Sequence, residues 1–200
     1  MIRWTGWLKV LMVLSLLIPA AVSAEKIAGI SLPETLTAAD QNLALHGAGI
    51  RKKLWIKVYA AGLYLPPEMQ SGDRPGTPDA ASVIAADQPM ALRMHFIYDS
   101  VSREKLIEAW NEGFENATGN KTEPIAGGIR EFNGCFREAL GPGDIVDLVY
   151  VPGTGTEVIV KGDSRAVIPG LPFKQALFGI WLCDEPADDD LKEGLLKLQK

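Results

Sequence analysis

Alternation of apolar and polar residues dominates the first half of the chain and predicts β-strands. Three such runs follow one another, at residues 30–36, 43–50 and 53–65. In the third run one face is apolar and the other is amphipathic, with Leu54, Ile56 and Val58 opposite Lys53, Trp55 and Lys57. Pro66 and Pro67 end this run, because proline cannot donate to a β-ladder.

Helical periodicity and turn residues then alternate with further strands. Residues 90–98, 144–151, 157–160 and 165–168 are predicted as strands, and residues 152–156 and 161–164 as hairpin turns. Helices are predicted at residues 79–85, 102–118, 125–140, 173–182 and 188–198. Asp79 and Ser102 are the expected N-caps of the first two helices. This order indicates an α+β fold with a mostly antiparallel sheet and helices packed on one face.

The N-terminal residues have the composition of a secretory signal. Arg3 and Lys9 supply positive charge, residues 10–22 are mostly apolar, and residues 22–24 form a small-residue cleavage site. We therefore expect residues 1–24 to be a signal peptide and residues 25–200 to form a single domain. The apolar run falls short of the ~20 residues of a membrane span, so no stable span is expected after cleavage. A periplasmic or secreted location follows.

Charge and residue counts limit the partners and cofactors that this chain can have. The net charge is -5 and the longest basic run has three residues, which argues against nucleic acid as a partner. His46 and His95 lie far apart without a companion cluster, so neither a metal site nor another cofactor is expected. Cys135 and Cys183 can pair in an oxidising compartment, or they can remain two thiols.

Arg51 and Tyr59 are the residues most suited to binding a ligand. They have the same parity as the amphipathic face of the third run, and a guanidinium holds a carboxylate through two parallel hydrogen bonds. A cationic fork and a phenol on a half-apolar wall suit a small ligand with an anionic head. Along a straight strand, however, eight residues span ~26 Å, so the two can meet one ligand only if the chain bends or the ligand is long.

Two segments carry a family resemblance. Gly47-Ala48-Gly49 followed by Arg51, together with the run from Lys57 to Leu65, resembles the chalcone isomerase-like superfamily. The run from Ile168 to Leu182, followed by Asp184-Glu185-Pro186, is similar to the bacterial branch of that family. The resemblance extends over nearly the whole mature chain, from about residue 30 to about residue 196. It implies an open-faced β-sheet with helices layered on it.

The resemblance also implies roles for individual residues. In plant chalcone isomerases and the related fatty-acid-binding proteins, the arginine that matches Arg51 contacts the ligand. The fatty-acid-binding members have a tyrosine at the place of Tyr59, which helps to hold the carboxylate. Lys105 matches a lysine of the family. The catalytic tyrosine of the plant enzymes is absent, because Ser102 occupies its place.

We therefore expect the protein to bind a small apolar ligand with an acidic head, most plausibly a fatty acid, without catalysis. The expected ligand-binding residues are Arg51, Tyr59 and Lys105. Two alternatives remain open at this point. One is an intramolecular lyase or isomerase that acts on a phenolic enone, with Arg51 and Lys105 near the oxyanion. The other is a structural or interaction protein whose apolar groove receives a segment of a partner.

Overall fold

The fold is built on a continuous antiparallel meander. The computed structural model describes residues 24–70 and 78–197, so all but the last residue of the predicted signal peptide, together with residues 71–77 and 198–200, lie outside the described residues. The described strands are β1 Ala24–Ile27, β2 Ile30–Pro33, β3 Thr35–Ala38, β4 Gln41–Lys53, β5 Ile56–Leu65, β6 Met90–Phe96, β7 Ile145–Val151, β8 Gly155–Val160 and β9 Asp163–Ile168. Strands β1 and β2 form a separate two-stranded hairpin, and β3 to β9 form a seven-stranded sheet in which every strand pairs with the next. This curled sheet with its helices confirms the predicted α+β fold.

Six α-helices accompany the strands in the described residues. They are α1 Pro67–Gln70, α2 Ala80–Ala85, α3 Arg103–Thr118, α4 Ala126–Cys135, α5 Leu171–Leu182 and α6 Asp189–Leu195, and a 3₁₀ turn at Glu123–Ile125 precedes α4. The predicted N-caps Asp79 and Ser102 are confirmed, since Asp79 accepts a hydrogen bond from Ser82 N and Ser102 accepts one from Lys105 N. Asp188 also caps a helix, because it accepts from Leu191 N at the start of α6. Each cap satisfies a backbone N–H at a helix start.

The prediction of one continuous strand from residue 53 to residue 65 is wrong. The chain reverses at Leu54 and Trp55, and residues 41–53 pair with residues 56–65 as a long hairpin. Leu54 has a φ of 58°, a left-handed conformation that glycine and asparagine adopt more easily. Because the sequence places an apolar pair where a turn residue is expected, the turn has no local sequence signal.

Helix α4 is shorter than predicted. It ends at Cys135 rather than near residue 140, and Phe136 has extended backbone angles. The next residues return toward α3, since Leu140 forms a β-bridge with Val101 and Arg103 Nε donates to the Phe136 carbonyl at 2.9 Å. These two contacts with the start of α3 are tertiary, so helical periodicity alone does not indicate where α4 ends.

The main core lies between the sheet and the helices. Apolar side chains of β5 to β8 pack against those of α3, α4, α5 and α6, and α5 is buried on nearly all sides. A smaller cluster covers the opposite face of the sheet, where Leu43, Ala91 and Val149 gather around Tyr64. The Tyr64 hydroxyl donates to the Pro33 carbonyl at 3.0 Å and so joins this face to the β1–β2 hairpin.

Lys174 is a fully buried charged side chain within this core. Its Nζ donates to the carbonyls of Val83, Ile84 and Ala86 at 2.8, 2.9 and 2.7 Å. These carbonyls lie at the C-terminal end of α2, where cations are favoured by the helix dipole. Because three carbonyls use the three donors of an ammonium group, Lys174 is a structural clamp between α5 and α2.

The two cysteines are separate thiols in this structure, with Cys135 buried and Cys183 half-buried. The Cys135 thiol bonds to the Glu131 carbonyl one helical turn before it, at 3.4 Å. Burial raises the pKa of Cys135 to about 11, so this thiol stays protonated at neutral pH.

Candidate functional site

Arg51 and Tyr59 are direct partners across the β4–β5 hairpin. The turn at Leu54 and Trp55 folds the chain back, so the two residues face one another instead of lying eight positions apart on a straight strand. Residues directly opposite in an antiparallel pair have Cβ atoms about 5 Å apart. The chain bend that a shared ligand requires is therefore present, between Lys53 and Ile56.

The guanidinium of Arg51 is held by the segment that leads into α6. Its Nη1 donates one hydrogen bond to the Ala187 carbonyl and another to the Lys52 carbonyl at 3.0 Å. The same atom lies 3.9 Å from Asp188 Oδ2, and the Arg51 side chain is 21% exposed. The Ala187 carbonyl and the Asp188 carboxylate thus occupy positions around the guanidinium where the oxygens of an anionic ligand would bind.

Tyr59 is buried directly beneath this contact. Its hydroxyl accepts a hydrogen bond from Trp181 Nε1 at 2.8 Å, and its ring packs against Phe96 with centroids 5.3 Å apart. Burial raises the pKa of Tyr59, while the nearby charge of Arg51 and the Trp181 hydrogen bond oppose that rise. The phenol is therefore neutral at physiological pH, and accepting from Trp181 leaves its own hydrogen available as a donor.

Trp181 links the pair to the aromatic core beneath the helices. Its ring lies 5.9 Å from Trp110, which in turn packs against Phe132 and Phe136 at 5.8 and 5.6 Å. These rings belong to the main core rather than to an open pocket. Trp55 differs from these buried aromatic residues, because the structure places it at the tip of the β4–β5 hairpin, exposed to solvent.

Glycines explain why α6 can lie so close to Arg51. A Cβ on Gly47 would collide with the Leu195 carbonyl, and one on Gly49 would lie 2.9 Å from Leu191 Cδ1. On the helix side, a Cβ on Gly194 would approach the Ala48 carbonyl to 2.5 Å. The glycines before Arg51 therefore let the backbone of α6 pack directly on β4, which positions Asp188 beside the guanidinium.

Asp188 connects this helix to the hairpin with both of its carboxylate oxygens. Oδ1 accepts from Leu191 N at 2.8 Å as the N-cap of α6, and Oδ2 accepts from Lys52 N at 2.8 Å. Nearby, Lys52 Nζ bonds to Asp190 at 3.1 Å. The acidic run at residues 188–190 therefore begins α6, and Asp188 also lies over Arg51.

The third predicted ligand residue, Lys105, is exposed on the first turn of α3, so the structure does not bring it into the buried pair. Its backbone N–H bonds to Ser102 Oγ at 3.4 Å. Ser102, at the place of the plant enzymes' catalytic tyrosine, is half-buried and serves as the helix cap. A contact between Lys105 and a ligand stays a prediction.

Sequence reasoning missed three participants in the site, namely Trp181, Ala187 and Asp188. Trp181 lies in an apolar helix where core packing is the ordinary interpretation, and the Ala187 contact is made by a backbone carbonyl, which no residue type signals. Asp188 has a visible signal as a helix cap, but its second contact, with β4, depends on how α6 docks.

Two open clefts lie in the helical layer. One, of about 450 Å³, is bordered by Ile84, Ala117 and Ala176, and the other, of about 320 Å³, by Asn111 and Arg130. Neither cleft includes Arg51 or Tyr59. Within residues 24–70 and 78–197, no group of three or more His, Cys, Asp or Glu side chains is arranged to hold a metal ion. Nor is any helix there long and apolar enough to cross a membrane.

Comparison with known proteins identifies the family. A family model described as chalcone isomerase-like matches residues 24–197, and the chain therefore belongs to the chalcone isomerase-like family. A search of curated proteins gives no match. Among solved structures, the Arabidopsis thaliana fatty-acid binding protein AtFAP1 has a similar fold, with a TM-score of 0.67 and 20% sequence identity over 87% of this chain and 95% of that one. At this identity the likeness concerns the fold.

Proposed function

We propose that this protein binds a small apolar molecule with a carboxylate head, a fatty acid being the favoured class, and does so without catalysing a reaction. The observation that carries the proposal is the pairing of Arg51 with Tyr59 across the hairpin. Two donors of different kinds converge there, a charged planar fork and a neutral phenol. A carboxylate has oxygens to accept from both.

The contacts of Arg51 in the closed structure support an acidic ligand. The guanidinium bonds to the Ala187 carbonyl and lies beside the Asp188 carboxylate, so the protein itself supplies oxygens of the kind that a ligand would bring. In the proposed complex the ligand carboxylate replaces these contacts. The segment from Cys183 to Asp188 then moves aside, and α6 moves with it.

The tail of the ligand would extend toward the apolar layer between the sheet and the helices. Tyr59 lies at that boundary, in contact with Phe96 and bonded to Trp181. Entry of a tail requires these rings to change rotamer, because they are closely packed in the closed structure. The name of AtFAP1, a protein of similar fold, states fatty-acid binding for that protein and agrees with this ligand class.

We also propose that the protein is an exported bacterial member of the family. The support is the order of charged, apolar and small residues before residue 25. Mass spectrometry of the protein isolated from its native host should find an N-terminus within a few residues of Glu25. Recovery of the chain in a membrane pellet with Met1 retained would contradict export as a cleaved protein.

Calorimetric titration with a long-chain fatty acid tests the ligand. Arg51→Ala should weaken binding by about 2–3 kcal/mol, the range for a hydrogen bond to a charged group with an unpaired partner. Arg51→Lys should recover only part of this loss, since an ammonium group has no planar fork. Tyr59→Phe should cost about 1 kcal/mol, because it removes one neutral donor.

Matched controls separate head-group recognition from general effects. Arg137→Ala removes an exposed arginine from the segment after α4 and should leave the affinity unchanged. The alcohol of the same chain length should bind the wild type weakly, because it lacks the charge that Arg51 recognises. Equal affinity of wild type and Arg51→Ala would refute the site.

A hydroxychalcone added to the wild type tests catalysis directly. The hydroxyl of Ser102 caps α3 and cannot serve as the phenol of the plant enzymes, so absorbance should decay at the spontaneous rate. Enzyme-dependent loss of absorbance would instead establish the isomerase alternative.

A further inference from the structure

The turn between β4 and β5 presents two large apolar side chains to solvent. Leu54 is 79% exposed and Trp55 is 83% exposed. The other large apolar side chains exposed in the described part of the chain are Tyr98, at 40%, and Val167, at 45%. Adjacent apolar residues at this level of exposure are unusual for a protein surface and typically mark an interaction site.

The hairpin carries this pair away from the body of the sheet. Pairing between β5 and β6 ends at Tyr59, and the last bonds from the β6 side reach Val58 O from the backbone N–H groups of Ile97 and Tyr98. Residues 52–57 extend beyond that point with Leu54 and Trp55 at their apex. Tyr98 lies beside the base of this projection, so a third partly apolar side chain is exposed near the tip.

The backbone of the turn argues against a purely structural role for Leu54. Its φ of 58° is a conformation that glycine adopts at lower cost. Because the leucine side chain is exposed, its packing contributes little that would offset this backbone strain. The turn would therefore form more easily with glycine, and the leucine side chain serves something other than folding of the hairpin.

Charge around the tip is positive, although the whole chain has a net charge of -5. No Asp or Glu occurs from residue 41 to residue 67, a stretch that contains Arg51, Lys52, Lys53 and Lys57. Asp188 and Asp190 face the first two of these. Lys53 and Lys57, on either side of the apolar pair, are exposed and form no ion pair with another described residue.

We propose that this tip docks on a bilayer containing anionic lipids. Leu54 and Trp55 enter the boundary between headgroups and acyl chains, and Lys53 and Lys57 contact the anionic headgroups. Tryptophan is favoured at that depth because its ring is apolar and its N–H stays near water. Lysines beside the inserted residues add electrostatic attraction to an anionic surface.

The size and shape of the tip favour a bilayer over a protein partner. A stable protein–protein interface buries roughly 1,200 Å² or more, and two adjacent side chains at a hairpin apex supply far less. A bilayer needs no complementary surface, since a narrow projection can insert into it. Docking does not depend on the proposed carboxylate ligand, although it brings Arg51 and Tyr59 within a few residues of the lipid.

Vesicle binding tests the proposal on the protein as isolated from its host. Sedimentation with vesicles of phosphatidylglycerol and phosphatidylcholine should bring down the wild type, and vesicles of phosphatidylcholine alone should bind it more weakly. Trp55→Ser should reduce binding at least about tenfold, the loss expected for one large apolar anchor. Lys53→Gln and Lys57→Gln should each reduce binding to the anionic vesicles about fivefold.

Leu54→Gly separates membrane docking from folding. Glycine relieves the positive φ, so this variant should unfold at a temperature equal to or above that of the wild type while binding vesicles several-fold less. Two matched controls should bind like the wild type. Val167→Ser removes the exposed apolar side chain on β9, and Lys121→Gln removes an exposed lysine after α3.

Fluorescence of Trp55 provides a second measurement, in which the variant Trp55→Phe keeps an aromatic ring at the tip. Lipids brominated in the acyl chain should quench the wild type more than Trp55→Phe, and the difference reports the depth of Trp55. Equal quenching of the two proteins, or equal sedimentation of wild type and Trp55→Ser, would overturn the proposal. Protection of Trp55 from an aqueous quencher before lipid is added would also overturn it, since the tip would then be covered by the chain itself or by a second copy.

Discussion

Asp188 joins helix α6 to the strand that carries Arg51. One carboxylate oxygen caps the helix, and the other accepts from Lys52 N at 2.8 Å and lies 3.9 Å from the Arg51 guanidinium. The structure thus places a carboxylate of the protein beside the guanidinium that we propose to bind the carboxylate of a ligand. On the proposed function, closure of α6 and ligand binding compete for Arg51.

This competition predicts that Asp188→Asn binds a fatty acid more tightly than the wild type. Asparagine caps helices about as well as aspartate, so the helix start is kept while the charge beside Arg51 is lost. Without this charge, the closed position of α6 in the free protein should be about 1 kcal/mol less stable. The ligand then displaces α6 at lower cost, which appears as a gain of up to about fivefold in affinity. Calorimetry measures it. Asp190→Asn, at an exposed pair with Lys52, is the control and should leave the affinity unchanged. A weaker complex with Asp188→Asn would show that Asp188 supports the bound state.

Packing of α6 on β4 predicts a strong response to a single methyl group at Gly47. Because its Cβ would collide with the backbone carbonyl of Leu195, Gly47→Ala should cost about 2–3 kcal/mol of unfolding free energy. Hydrogen exchange should rise in residues 189–195. Gly134→Ala is the matched control, since no atom lies within 4 Å of its added Cβ, and it should be neutral or stabilising by up to about 1 kcal/mol. Unchanged exchange in Gly47→Ala would mean that α6 can shift without loss.

The Lys174 clamp predicts a large effect of an isosteric apolar replacement. Lys174→Met leaves the carbonyls of Val83, Ile84 and Ala86 without their donor, which is only partly offset by the removal of a buried charge. Urea denaturation should show a loss of about 2–3 kcal/mol. Lys161→Met, which removes partly exposed ion pairs with Glu138 and Asp144, should cost less than about 1 kcal/mol. Equal losses in the two variants would contradict the clamp.

The burial of His46 predicts that the stability of the fold decreases on mild acidification. It is buried on β4, and burial lowers its pKa from 6.5, with a further lowering by the charge of Lys197. Between the two pKa values the unfolded chain binds a proton that the folded protein does not. Stability should therefore decrease as the pH falls through 6.5 toward the lower, folded pKa.

Thermal unfolding across this pH window checks the effect. His46→Gln should flatten the acid side of the profile. His95→Gln is the comparison. Burial also lowers the pKa of His95, but this side chain is only half-buried, so its replacement should change the profile less. Parallel profiles of wild type and His46→Gln would exclude His46 as the source of the pH dependence.

Local patterns in the sequence were sufficient for most elements of this fold. Strand alternation, helical periodicity and the capping residues Asp79 and Ser102 act over a few neighbouring positions, and the structure has them where the patterns predict. The choice of Arg51 and Tyr59 also came from the sequence, from parity and from a family resemblance. The end of α4 was not predicted, because tertiary contacts fix it. The two-residue turn at Leu54 was not predicted either, because an apolar pair occupies the turn positions.

The sequence by itself determined the fold class and the helix caps Asp79 and Ser102, and it led to the proposal of Arg51 and Tyr59 as ligand-binding residues. Only the tertiary structure decided that Arg51 faces Tyr59, that Trp181 bonds to the phenol, and that Asp188 closes over the guanidinium. Trp181 lies 122 positions after Tyr59, and Asp188 lies 136 positions after Lys52, from whose backbone N–H it accepts. Such contacts depend on the docking of α5 and α6 against the sheet, which results from glycine-permitted backbone approach and from side-chain packing over the whole core, and no local pattern encodes either.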